Sequence, residues 1–383
     1  MAEWGFTGGT YTSRSRAVAA ERCVNFYPEI VESRFGKTRL ALYPTPGLRR
    51  HTLLHDGPIR AFEAPGDGRV FTVSGGSFYE IHRDRTFTWH GQVRRDGRPA
   101  TIHSNGDGGH QLFIVSGGKG YIFHLETNVL TQIPVDDDEN GFPPVALMGA
   151  FADGFFLVLA SDNRFQISAA EDGLVWDPLD FSARSLAADP WIAMLVDPAR
   201  VWLFGTRSAE VWANVGDLDQ PFQPIPGAEF QQGIVAPWSL RSFDNSPMWV
   251  GRNGDGHGMV WRANGYRAER ISNHAVEHAL QTYGRLERVL AWTYQQDGHG
   301  YYLLEIPHAP VTWVYDVAAN LWHERSHWIV EEYREIPHRA RFHAFEWNRR
   351  LVGDRLNGAI YELALDQYED QLVELVYGAQ EEA

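Results

Sequence analysis

The chain has 383 residues and a formal net charge of −15, so its surface as a whole is a poor partner for nucleic acid or an anionic membrane, which need clustered Lys and Arg. That length exceeds what one hydrophobic core usually serves, which points to several domains or to a repeat. Aromatic residues make up 13% of the chain, with 14 Trp and a single cysteine, Cys23; this suits β packing and protein interfaces and rules out an intrachain disulfide.

The N-terminus, MAEWGFTGGTYTSRSR, lacks an apolar core, and no run approaches 18 apolar residues, so neither a signal peptide nor a membrane span is expected, and assembly in a cytoplasm is. Three windows read as helix: Ser13–Glu21, His274–Tyr283 and Ile329–Ile336. Nearly everything else reads as short β runs broken by Gly, Asn, Asp and Pro.

Those runs repeat. An aromatic recurs in a strand that follows a tight turn: Tyr79, Tyr121, Phe165, Trp212, Trp261, Tyr315 and Tyr361, spaced 42 to 54 residues apart. A short apolar strand precedes each, at 70–74, 111–116, 155–161, 201–206, 247–251, 301–307 and 350–354. The period is that of a four-stranded propeller blade with modest insertions. Small sheets that are apolar on both faces hide them by stacking on one another, and radial closure leaves only short edges. The expected fold is therefore an all-β propeller of seven blades, with six as the alternative and two β-sandwich domains as the rival. The expected organisation is an arm and ring-closing strand over 1–53, blades over 54–370 and an acidic tail over 371–383. The candidate closing strand is LALYPTPGL at 40–48.

Several patterns invite a chemical reading. HERSH at His323–His327 matches the HExxH zinc pattern, in which two histidines on one helical turn chelate zinc and Glu324 acts as base. Its context predicts a strand, where two histidines four apart sit roughly 13 Å from each other, too far for one ion. DDDENG at 136–141 opens like a calcium loop, but the closing acid position falls on Leu147, and Pro143 and Pro144 interrupt it. An acidic loop is the simpler reading. NGDG at 105–108, NGDGHG at 253–258 and DGHG at 297–300 are turn sequences. Asp153, Asp162, Glu171 and Asp177 could meet in a propeller mouth and so permit glycoside hydrolysis. Arg94, Arg95 and Arg98 form one basic spot, and Arg339, Arg341, Arg349, Arg350 and Arg355 another; solvated rims are the default reading and docking onto acidic neighbours the functional one. Cys23 reads as a small buried hydrophobe rather than a nucleophile. No GxxxxGK(S/T), GxGxxG or GxSxG pattern occurs. No catalytic, cofactor-binding or metal residue is assigned, no cofactor is expected, and the protein is expected not to be an enzyme. The alternatives are a propeller hydrolase or lyase and a lectin-like sugar binder.

ERCVNFYPE (21–29) and LYPTPGLR (42–49), followed in order by segments at 201–217, 230–256, 313–324 and 353–363, resemble the packaged-DNA stabilisation proteins of short-tailed phages, also called tail accessory factors or tail hub proteins. The resemblance implies a virion structural protein made in the host cytoplasm. It implies a homo-oligomeric ring, six copies favoured, below the portal and adaptor rings. Such a ring retains packaged DNA and carries tailspike, fibre or needle, while DNA passes without sequence-specific binding; acidic walls would suit such a conduit. Relatives carry a further C-terminal β region that has no counterpart in the roughly 20 residues after the 353–363 segment here, so contacts made through that region are in doubt.

Overall fold

The computed structural model describes residues 22–31, 39–135, 141–183, 189–217 and 220–373. They fall into two compact units, one of residues up to 44 and 99–338, the other of 45–98 and 339 onward. The fold is a seven-bladed β-propeller, mostly strand, with two short helices.

Among the described residues the larger unit holds five blades, numbered here with those of the smaller unit in chain order, and a two-stranded hairpin, Phe26–Val31 and Arg39–Pro44. Blade 2 is Thr101–Ser104, Gln111–Ser116, Lys119–His124 and Val129–Gln132. Blade 3 is Ala146–Ala152, Phe155–Ala160, Arg164–Ile167 and Phe181–Ala183. Blade 4 is Trp191–Val196, Val201–Gly205, Ala209–Asn214 and Phe222–Phe230. Blade 5 is Arg241–Phe243, Ser246–Arg252, Gly258–Asn264 and Arg267–Arg270. Blade 6 is Leu290–Gln296, His299–Glu305, Thr312–Asp316 and Leu321–Ile329, with a fifth strand, Arg334–Pro337. All pair antiparallel in chain order.

Every repeated aromatic lies on the third strand of its blade, and every apolar run preceding it is the second. Local chemistry sets the hairpins. Asp297 and Gly298 take φ of 51° and 82°, the two left-handed positions of a type I′ turn that matches strand twist. Aromatics then seal one sheet to the next: Phe113 lies 5.3 Å from Phe156 between blades 2 and 3, Phe165 5.3 Å from Trp212 between blades 3 and 4, and Phe204 4.9 Å from Trp249 between blades 4 and 5. Each such ring removes large apolar area from water, worth roughly 2–3 kcal/mol.

The helix expected at His274–Tyr283 has those bounds, and the Asn273 side chain caps it by accepting from Ala275 and Val276 N–H. The window 329–336 is not a helix. The strand Leu321–Ile329 runs to Ile329, and after a turn its last four residues pair with Arg334–Pro337, Ile329 opposite Arg334. The window 13–21 lies outside the described residues, as do 136–140 of the acidic loop.

The smaller unit holds blade 1, Ile59–Glu63, Val70–Ser74, Ser77–Ile81 and Phe87–Gln92, and blade 7, Ala340–Glu346, Arg349–Asp354 and Ala359–Ala364. Blade 7 takes its fourth strand from the other end of the chain: Gly47–Leu53 pairs antiparallel with Ala359–Ala364. The candidate closing segment at 40–48 is thus corrected. Only its last two residues lie in this strand, and Arg39–Pro44 pairs instead with Phe26–Val31. The physical reason is visible in Pro44 and Pro46, which punctuate the run and separate two strands that read as one. Gly353 lets the two sheets approach closely, since a Cβ there would lie 2.4 Å from Ile59 Cβ. In this unit Asp354 is fully buried and collects Arg339 Nη2 at 2.5 Å, Tyr361 Oη at 2.9 Å and Leu356 N at 2.7 Å.

Candidate interaction surface at the outer edge of blade 6

The outer strand of blade 6 has nine residues, and its two halves have different partners. Leu321–Arg325 pairs inward with Thr312–Asp316, and Ser326–Ile329 pairs outward with Arg334–Pro337. The outward edge of the first half would therefore present bare backbone groups, an invitation to another strand. Residues 22–25 fill it. Glu324 N–H donates to Cys23 O at 2.9 Å and Asn25 N–H to Glu324 O at 2.9 Å, a parallel bridge centred on Val24 and Glu324. Asn25 sits at φ 56°, a conformation its short polar side chain tolerates. From there its amide donates to Ser326 O and accepts from Ser326 N–H, both at 3.0 Å.

Arg22 completes the fastening. Its guanidinium donates to Glu324 Oε2 at 2.8 and 2.5 Å and reaches both oxygens of Glu335 at 3.1 Å, while Ser326 Oγ donates to Glu335 Oε1 at 2.7 Å. Burial pushes the Glu324 carboxyl up, and Arg22 beside it works in the opposite direction. Cys23 is buried, its thiol donates to Phe26 O at 3.3 Å, and burial raises it to about 11, so it is not a poised nucleophile.

Beyond this clasp the chain forms a hairpin, Phe26–Val31 against Arg39–Pro44. Tyr27 lands on blade 6, its ring 4.9 Å from His299 and 5.8 Å from Tyr301, and His299 Nδ1 lies 2.7 Å from the buried Asp316 carboxylate. On that face of the sheet Arg325 is fully buried, with Cζ 5.2 and 5.1 Å from the Tyr294 and Tyr301 ring centres and Nη2 donating to Tyr294 Oη. Its Nε and Nη1, and both ring nitrogens of buried His323, have no hydrogen-bond partner among the described residues. Around the clasp, apolar side chains stay in water: Phe26, Leu42 and Tyr43 on the arm, and Trp328, Val330 and Tyr333 (82% exposed) on the blade 6 hairpin.

HERSH is therefore a strand, as its context predicts. His323 faces the buried tyrosines, and Glu324 is held by the arm rather than poised as a base. Among the described residues no three His, Cys, Asp or Glu side chains gather as a metal site would require. Glu324→Gln is expected to keep the fold, with a melting temperature lowered by a few degrees at most, because the amide oxygen still accepts from Arg22 while the charge is lost; thermal melts of the two proteins check it.

Of the four acids of blade 3, Asp153 and Asp162 stand well apart. Asp153 sits at the turn before Phe155–Ala160 and Asp162 at the turn after it, roughly 20 Å apart along the strand. Asp162 pairs with Arg164, Glu171 N–H bonds Gly154 O near Asp153, and Asp177 Oδ1 accepts from Leu179 N–H. Arg94, Arg95 and Arg98 are exposed. The second basic spot is divided: Arg339 is buried against Asp354, whereas Arg349 donates to Arg83 O and Arg350 lies over Phe345. The turn readings hold in detail at 253–258, where Asn253 Oδ1 accepts from Asp255 and His257 N–H; at 105–108, Asn105 precedes a single helical turn, Gly106–Gly109.

Sequence reasoning placed 21–29 within a family segment but not on blade 6. The available signal was the strand reading of 321–329, whose outer edge needed a partner.

Four histidines are held below their ordinary value, first by burial: His51, His103 and His343 (each of the latter two to about 4), and His323, well below. Arg241, Arg325 and Arg350 add to the effect at His103, His323 and His343. Below pH ~6.5 the unfolded chain takes up protons that the folded chain declines, so stability is whole above that pH and falls as pH drops toward ~4. The upper bound is roughly 1.4 kcal/mol per pH unit for each histidine, less for His103 and His343, which keep some solvent contact. Urea unfolding at pH 7.5 and 5.0 is expected to show this loss, and His323→Leu should reduce it; an unchanged pH slope in that variant would count against the assignment.

The strands define a class, the seven-bladed β-propellers, and the blade 6 edge is a clasped strand beside exposed aromatics. The chain belongs to the family described as bacteriophage P22 Gp10, beta-propeller, whose sequence model matches residues 6–368. No curated protein sequence matches significantly. Among solved structures, the extracellular domain of BT4673 from B. thetaiotaomicron is 7% identical, with a TM-score of 0.52 over 83% of this chain and 40% of that one, and shows the propeller fold alone. The WD40 β-propeller domain of Doa1 is 12% identical, with a TM-score of 0.49 over 85% of this chain and 100% of that one. Virginiamycin B lyase from Staphylococcus aureus is 9% identical, with a TM-score of 0.49 over 80% and 94%. No helix among the described residues is long and apolar enough to cross a membrane.

Proposed function

We propose that this protein is a tail hub component of a phage virion: copies of the chain form a ring, six favoured, below the portal and adaptor. There it retains packaged DNA and carries the tailspike, fibre or needle, without catalysing a reaction. The observation that carries this reading is membership of a phage stabilisation family over nearly the whole chain. The blade 6 edge supports it, since clasped strands and exposed aromatics serve contact rather than chemistry. A hydrolase needs two acids at ~5–9 Å, and Asp153 and Asp162 stand at opposite ends of a strand. A sugar-binding propeller needs exposed aromatics at equivalent positions around its blades, whereas here they fall on the fourth strand of blades 1 and 6 (Trp89, Trp328), the turn after the third strand of blade 5 (Tyr266) and the first strand of blade 7 (Phe345). The net charge of −15 suits a conduit that does not grip phosphate. Electron microscopy of the virion should find the chain as a ring in the tail beneath the portal. Its absence from the particle, or its presence as isolated copies on the capsid, would overturn the proposal.

A further inference from the structure

We propose that the outer edge of blade 6 is a strand-exchange socket, and that its occupant in the assembled protein is the arm, residues 22–31 and 39–44, of a second copy of this chain. This rests on the ring reading above and adds which surfaces join the copies. The socket is built in detail: bare backbone at Glu324, a two-way amide clasp at Ser326, and the Glu324 and Glu335 carboxylates that receive one guanidinium, Arg22. Tyr27 then seats on His299 and Tyr301. Main-chain pairing supplies affinity and the pockets for alternate side chains supply selectivity, as in strand addition generally. What fits is thus a peptide carrying Arg, Asn and Tyr at the spacing of 22, 25 and 27.

Two observations favour a neighbouring copy as the donor. The arm hairpin ends at Pro44 and the fourth strand of blade 7 begins at Gly47, so the link is Thr45 and Pro46 alone. Pro46 fixes its own φ and holds Thr45 extended, and short constrained hinges promote exchange of an element between identical chains. Exchange keeps every hydrogen bond of the clasp. Phe26, Leu42 and Tyr43 on the arm and Trp328, Val330 and Tyr333 on the blade 6 hairpin are exposed in the lone chain and offer a second chain apolar area to cover. The contact is heterologous, arm to socket, and so can close a ring.

The test is thiol cross-linking in a Cys23→Ser background, which removes the only natural thiol. Arg22→Cys is combined with Glu335→Cys, and assembled protein, isolated by size, is treated with a short bis-maleimide and run on a denaturing gel. The expected result is that most linked protein migrates above the monomer as a ladder. Phe26→Cys with Trp328→Cys, both exposed positions, repeats the test if the first pair fails to fold by circular dichroism. Linked monomer from an assembled wild-type-like ring would overturn exchange and leave the ring reading standing. Wild-type protein that stays monomeric at every concentration, together with links only within the monomer in the double-cysteine variants, would overturn both.

Discussion

Deleting residues 1–53 is expected to leave a chain that no longer unfolds cooperatively, whereas deleting residues 1–44 leaves one that does. The first deletion strips Gly47–Leu53 from blade 7, unpairing Ala359–Ala364 along its length and uncovering a strand in which Ile360 and Tyr361 are fully buried. Leu48, also fully buried, alone represents about 2–3 kcal/mol of burial, against a total stability of roughly 5–15 kcal/mol for a typical domain. Leu48 also anchors the chain beyond the last strand, its N–H donating to Asp370 and its carbonyl accepting from Gln371 N–H. The shorter deletion removes the arm, which clasps blade 6 from outside, and spares every strand of the seven blades. Its melting temperature should fall by only a few degrees while self-association is lost. Differential scanning calorimetry with size-exclusion chromatography separates the outcomes. A cooperative transition in the chain lacking 1–53 would mean that the pairing of Gly47–Leu53 does not hold blade 7 together.

Asp354→Asn is the point substitution expected to cost most. Asp354 and Arg339 are both buried and joined through two hydrogen bonds, with Tyr361 Oη and Leu356 N–H on the same carboxylate. An amide keeps the shape but leaves the guanidinium as an uncompensated buried charge, at a cost of about 3–5 kcal/mol. The melting temperature should fall by on the order of 10 °C. Arg339→Met in the same chain removes the stranded charge and should recover much of the loss, since a buried ion pair exchanged whole for apolar packing is often neutral. A double variant no more stable than Asp354→Asn would show that the Arg339 charge is not the source.

The blade count and the second and third strand of every blade are legible in the sequence, because each hairpin is set locally: a turn with residues that accept positive φ, then strands with a period of two. Gly117–Gly118 in blade 2 is such a turn, at φ of 59° and 82°, and Tyr121 is the aromatic on the strand that follows it. The HERSH segment was legible as a strand for the same reason. The window 329–336 carries an acidic run, EEYRE, equally at home on a helix face, and only pairing of Ile329 with Arg334 decides it.

What the amino-acid order determined by itself is therefore whatever neighbours in the chain settle between themselves: turns, strand alternation, the Asn273 cap. What only the tertiary structure decided are meetings between residues about 300 positions apart: Gly47–Leu53 on Ala359–Ala364, and Arg22 on Glu324. An edge strand carries the same alternation whichever chain segment pairs with it. Backbone hydrogen bonds are blind to side-chain identity, so the choice of partner is written in the folded geometry and not in the local pattern.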